Sequence, residues 1–228
     1  MNYYETIILC QPDTVKSCSA CCGLMNFSDI SRQALTRFLA RGAKRSSAHL
    51  SASDITDQGD GRQIRDLTSY ICPHQGLIFN KRPGCLLHPQ YRMKSMRHES
   101  FFGEQICDGF LCPAHEILST YHKKAIINLI DDWYCYTIAV IDPRTTVWLL
   151  DMITERFPIA YQREDVIKNI LSESLEVHAK YLSSCTGPVF FYSVSEYNAG
   201  RAGFSLDIDS RDRDDERMEI RAIIERNL

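Results

Sequence analysis

Positive charge is not in surplus in this chain: 26 Lys and Arg stand against 29 Asp and Glu, giving a formal net charge of -3 and a pI near 6.2. Without a basic surface there is no electrostatic footprint for nucleic acid or an anionic membrane, and neither is expected as a partner. Long apolar runs are missing too. The longest, Trp133 to Ile141, is about half of what a bilayer span requires. The opening residues carry no basic stretch and only a brief apolar one, so residues 3–9 read as a short strand rather than a leader, and the chain reads as cytoplasmic. A glycine-rich phosphate loop is also absent, since Ala199-Gly200-Arg201-Ala202-Gly203 fits neither G-x-G-x-x-G nor G-K-[ST]. No unit of about 20–50 residues recurs, which sets aside solenoids and propellers.

What the chain has instead is cysteine, ten in 228 residues. A chain of this length can bury a core without metal or disulfides, so the count needs another reason. Cys18, Cys21 and Cys22 fall within Lys16-Ser17-Cys18-Ser19-Ala20-Cys21-Cys22-Gly23, and Cys72, Cys85, Cys107 and Cys112 follow. In a reducing cytosol such clusters are metal ligands or catalytic thiols more often than disulfides. A C-x-x-C turn lets two thiolates converge on one ion while nearby N–H groups donate to the sulfurs, and Cys18 and Cys21 have that spacing. Cys22 leaves the backbone in another direction, toward a second metal or against the first.

A tetrahedral site takes four ligands, so the knuckle needs help from Cys72, Cys85, Cys107 or Cys112. All seven are candidate ligands for zinc or iron, an iron–sulfur cluster included. They exceed one closed site, which leaves open one site with spare thiols or two centres sharing the region. His74, His88, His98 and His115 offer ring nitrogens nearby, His88 with the best case, three residues after Cys85. Arg82 and Arg92 are candidates to offset thiolate charge, with a surface position as the alternative and the favoured reading of Arg92. Cys10 reads as a small buried hydrophobe, Cys135 as part of an apolar helix and Cys185 as a loop residue.

The expected fold is α+β and mainly helical: a cysteine-rich metal-binding half over residues 1–112, then a helical half over 113–228 with a small terminal β element, with one integrated domain as the alternative. Ser28 is the expected cap of a helix to about Arg41, stopped by Gly42, and 44–61 reads as a loop. Residues 62–70 fit helix or strand. Two extended pieces between Cys72 and Pro89 meet at an Asn80–Gly84 turn. Pro113 should open a helix with Cys112 near its N-cap, where free N–H groups favour a thiolate. Residues 113–142, 143–157 and 163–183 carry helical stripes, with Asp142-Pro143 as cap and first residue of the second. Strands are expected at 189–194 and 204–208, then a last helix with Ile220, Ile223, Ile224 and Leu228 on one side. The charges of 207–219 read as its solvated face.

The knuckle leading into a helix, followed by Arg82-Pro83, Cys85 and His88-Pro89, resembles the YkgJ-type CxxCxxCC family of zinc- or iron-chelating proteins, to which the flagellin lysine N-methylase is similar. The likeness covers about Val15 to Pro113. It implies that Cys18, Cys21 and Cys22 are the second half of the family's motif and that Cys72 and Cys85, with Arg82-Pro83, are its later portion. Val15 stands where the family often has a further cysteine, and His88-Pro89 where it has Phe-Pro. The leading expectation is therefore a cytosolic metal-binding protein. A metal-dependent, methylase-like modifying enzyme and a zinc-stapled scaffold that binds another protein are the alternatives. Against the enzyme, there is no C-x-x-x-C-x-x-C run.

Overall fold

A serine ahead of an apolar stripe starts the first helix. Ser31 Oγ accepts from the Ala34 N–H at 3.3 Å, and α1 (Arg32–Arg45) buries Ala34, Leu35, Phe38 and Leu39. The cap is thus Ser31 rather than Ser28, and Gly42 does not stop the helix. A Cβ on Gly42 would lie 1.8 Å from Gln75 O, so glycine is there to let α1 rest on the hairpin that follows. The computed structural model describes residues 7–45, 64–65, 71–79, 82–89, 93–100, 102–157, 164–185 and 210–227. The expected strands at 189–194 and 204–208, most of the loop at 44–61 and of 62–70, and Leu228 lie outside them. Residues 7–9, expected in a strand, are not in one.

The hairpin pairs β1 (Gln75–Ile78) with β2 (Arg82–Cys85) antiparallel, Gln75 opposite Cys85 and Ile78 opposite Arg82. Arg82, Pro83 and Gly84, expected in the turn, are therefore strand residues. Phe79, just past the end of β1, is a turn residue with φ 52°. Then come α2 (Gly103–Gly109), α3 (Ala114–Ile117), α4 (Thr120–Leu129), α5 (Trp133–Ile141), α6 (Pro143–Arg156), α7 (Glu164–Ser184) and α8 (Ser210–Glu225). The chain is α+β and mainly helical, its two-stranded sheet lying within the cysteine-rich part.

The continuous helix expected over 113–142 is three helices, because two caps interrupt it. Ser119 Oγ accepts from the His122 N–H at 3.2 Å, and Asp132 Oδ1 accepts from the Tyr134 and Cys135 N–H groups at 2.8 and 3.2 Å. Asp142 then caps α6 through the Thr145 N–H at 3.2 Å, with Pro143 in the first turn as expected.

α5 is apolar on every side and buried from Tyr134 to Ile141, the pattern of a helix enclosed by others. It packs against α6, α7 and the short turn Ala20–Cys22. Its Tyr136 hydroxyl donates to Leu9 O at 2.8 Å, which fixes the segment before the knuckle onto the helices. One cluster of buried side chains runs from Leu9 and Leu24 through α5, α6 and α7 to Ile220, Ile223 and Ile224 of α8.

α8 does not present all its charges to solvent. Glu216 is 1 % exposed, with Oε1 2.5 Å from His178 Nδ1, while Arg213 Nη1 lies 2.9 Å from the buried Asp142 carboxylate. Burial of a carboxylate without such partners would be costly, so these pairs fix where α8 docks. No helix among the described residues is long and apolar enough to cross a membrane.

Candidate metal centre

The knuckle is held by its own turns. Asp13 Oδ1 accepts from the Val15 and Lys16 N–H groups at 2.7 and 2.8 Å, a turn that folds the chain back so that the Cys18 N–H donates to Cys10 O at 2.9 Å. A 3-10 turn over Ala20–Cys22 ends at Gly23, whose φ of 79° suits glycine and whose N–H closes on Ala20 O at 2.8 Å. The Ser17 hydroxyl donates to Pro83 O and so ties the knuckle to β2. Inside the turn, the Ala20 N–H points at Cys18 Sγ, 3.3 Å away, the kind of N–H···S bond that thiolate sites use.

The hairpin brings the second group of thiols to the first. The Cys72 N–H donates to Cys22 O at 2.8 Å, and Gln75 Nε2 donates to the carbonyls of both residues at 2.8 and 3.0 Å. Pairing of Gln75 with Cys85 then places Cys85 on the same side. Cys107 enters from α2, where its sulfur lies 3.0 Å from Ser100 Oγ, and Cys112 from just before α3. All seven expected ligands are therefore drawn into one region.

Their electrostatics record how close they are. Hydrogen bonds with Cys21 and Cys72, and then burial, push the Cys22 thiol well up. The same bond from Cys22 pulls the Cys21 thiol down against its burial, with Arg97 adding to the effect. Cys18 is raised by burial and by Cys112, Cys21 and Cys10. Burial lifts Cys85 to about 11 and Cys112 to about 12, and raises Cys107 as well. The N–H groups at the start of α3 do favour the Cys112 thiolate, as its place before a helix suggests, but burial outweighs them. In the absence of a cation most of these groups are thiols, with Cys21 the one most disposed to ionise.

Two members of the site escape a reading of the sequence. Cys10, which reads as a small buried hydrophobe, is buried but lies among the thiols: burial first, then Cys21 and Cys112, raise it. Its signal was the Gln11-Pro12-Asp13 turn, which returns the chain past Cys10 to Cys18. Arg97 is the second. Its charge favours the thiolate forms of Cys10, Cys21, Cys85 and Cys107, and it is paired with Asp108 of α2. Arg82, the expected counter-charge, is buried toward Asp13 instead, and Arg92 lies outside the described residues.

Of the four histidines, His115 touches the site. Its Nε2 accepts from the Leu9 N–H at 3.1 Å, which leaves the proton on Nδ1, 3.6 Å from Cys112 Sγ. It is a donor to a sulfur rather than a ligand. His88 is held below its ordinary value by burial, Arg97 and Arg82. His98 is exposed beside Glu99, and His74 contributes a backbone carbonyl to Leu86. Cys135 is buried in α5 against Ser172 and Glu176, and Cys185 is buried just past α7, both away from the group.

Among the described residues no three His, Cys, Asp or Glu side chains are drawn in as a metal-holding group. The sulfurs are neighbours rather than a closed coordination shell, and protonated thiols gain nothing by converging until a cation binds them. The donor set is nonetheless one that suits soft or borderline metals: sulfur-rich, supported by N–H···S bonds and backed by an arginine. No family model matches the chain, and no curated protein or solved structure matches it either.

Proposed function

We propose that this chain is a cytoplasmic metal-binding protein that holds zinc or iron, an iron–sulfur cluster included, through its clustered cysteines. The observation that carries the reading is selective convergence. Cys10, Cys18, Cys21, Cys22, Cys72, Cys85, Cys107 and Cys112 share one electrostatic neighbourhood, while Cys135 has Asp132, Glu176 and Arg32 as its neighbours and Cys185 has Arg65. Packing alone does not explain why separate segments should each deliver a thiol to one place. None of the ten cysteines is in a disulfide, the state a reducing compartment keeps.

Bound there, a metal would supply cross-links between the knuckle, the hairpin and α2, and its binding energy would become folding energy for that region. Ser17, Gln75 and Asp13 already hold the backbones in place, which lowers the ordering cost of closing the site.

Titration of reduced, metal-stripped protein with cobalt(II) under anaerobic conditions tests the proposal. Ligation should give an intense near-ultraviolet sulfur-to-cobalt band and the strong visible bands of a tetrahedral ion, both displaced by zinc. Folded protein with neither band at excess cobalt would refute it.

A further inference from the structure

Thiols gathered in one region can close on one centre or on two, and here the backbone divides them. On one side, Cys10, Cys18, Cys21 and Cys112 line a small cavity of about 10 Å³, shut in by Leu9, Phe110 and His115 among others. The Cys18 N–H to Cys10 O bond and the Leu9 N–H to His115 bond hold its walls together. On the other side, the Cys72 N–H to Cys22 O bond and the Gln75 amide join the second half of the knuckle to the hairpin that carries Cys85. Cys107 comes from α2, beside Ser100, and feels Cys72 of this side ahead of Cys21 of the other.

We infer that the eight thiols form two separate four-sulfur centres, one from Cys10, Cys18, Cys21 and Cys112 and one from Cys22, Cys72, Cys85 and Cys107, each for a single divalent ion such as zinc. This rests on the metal-binding reading above and goes beyond it in number, membership and nuclearity. A cavity of that size takes about one water-sized atom. One ion among four sulfurs fits such a space.

The electrostatic couplings bear on the partition. In the first set each pair of thiols is coupled in at least one direction. In the second, Cys72 is the hub, coupled to Cys22, Cys85 and Cys107. The adjacent pair Cys21-Cys22 is where the two sets meet, their side chains hydrogen-bonded to one another. Arg97 influences Cys10 and Cys21 of one set and Cys85 and Cys107 of the other, so one guanidinium relieves the net negative charge that four thiolates leave on each divalent ion.

Native mass spectrometry of full-length protein, loaded anaerobically with excess zinc and then desalted, counts the ions. Wild type should carry two. Cys10→Ser and Cys72→Ser should each keep one, the double variant none, and Cys135→Ser two. The wild-type count needs no variant to fold, and it separates the two levels of the argument. One ion per chain, or two that are lost together in both single variants, would overturn the partition and leave metal binding standing. No bound zinc in folded wild type would overturn the partition, and no bound iron either, after loading with iron and sulfide, would overturn the metal-binding reading with it.

Discussion

His115 Nδ1 and Cys112 Sγ lie 3.6 Å apart with the proton on the ring, because the Leu9 N–H occupies Nε2. The imidazole thus joins the segment before the knuckle to a candidate ligand from the far side of the cysteine-rich part. Groups that donate to metal-bound sulfur hold it in place and stabilise its charge, and losing one typically costs about 10–100-fold in affinity. His115→Phe should therefore lower zinc affinity in a chelator competition by that range, while His98→Phe, at an exposed position, should not. Equal affinities for the two variants would remove His115 from the site.

Arg97 should matter through its charge. Replacing it with Gln leaves the thiolates of Cys21, Cys85 and Cys107 without a cation they now feel, and Asp108 without its partner. Zinc release to a chelator should quicken by about tenfold or more, and Arg97→Lys should recover part of the loss. Unchanged release in both variants would mean that Arg97 only braces α2.

Gly42 offers a test of the fold alone. With a Cβ placed 1.8 Å from Gln75 O, Gly42→Ala should force α1 and the hairpin apart at a cost of about 1–3 kcal/mol. Gly109, where a Cβ meets nothing within 4 Å, should tolerate Ala. Thermal melts that rank the two variants the other way would contradict the packing of α1 on β1.

How much of this was legible in the sequence depends on whether a feature is local. Asp142-Pro143 marks the start of α6 by its own chemistry, and the stripes of α6 and α7 state their period, so both helices stand where the pattern puts them. The breaks at Ser119 and Asp132 were hidden because the apolar stripe continues across two real caps. Gly42 reads as a stop until Gln75 is known to lie against it. Cys18, Cys21 and Cys22 declare themselves by spacing, whereas Cys10 and Arg97 join the site through a turn and a packed helix. Glu216 looks like any charge on a surface helix, and only its contact with His178 shows otherwise.

Acid should weaken the α6, α7 and α8 junction by a predictable route. Burial would raise the Asp142 carboxyl, but His178, Arg213 and Thr145 hold it below its ordinary value of 3.8. A depressed folded-state pKa contributes stability that is fully present above the unfolded value, about 3.9, and is lost as pH falls through the lower folded one. Asp142→Asn should cost about 1–3 kcal/mol at neutral pH, since it removes a buried carboxylate from between His178 and the half-buried Arg213, both of which keep Glu216. Below pH 4 the gap to wild type should narrow. Urea melts at several pH values check this, and a constant gap across that range would contradict it.

The most direct test of the account is the metal content of the protein itself. Elemental analysis after anaerobic purification should find zinc or iron at one equivalent per chain or more, retained through desalting and lost on treatment with a strong chelator under reducing conditions. Folded protein that carries only traces of either metal, and takes up none when they are offered, would contradict the reading of these cysteines as ligands.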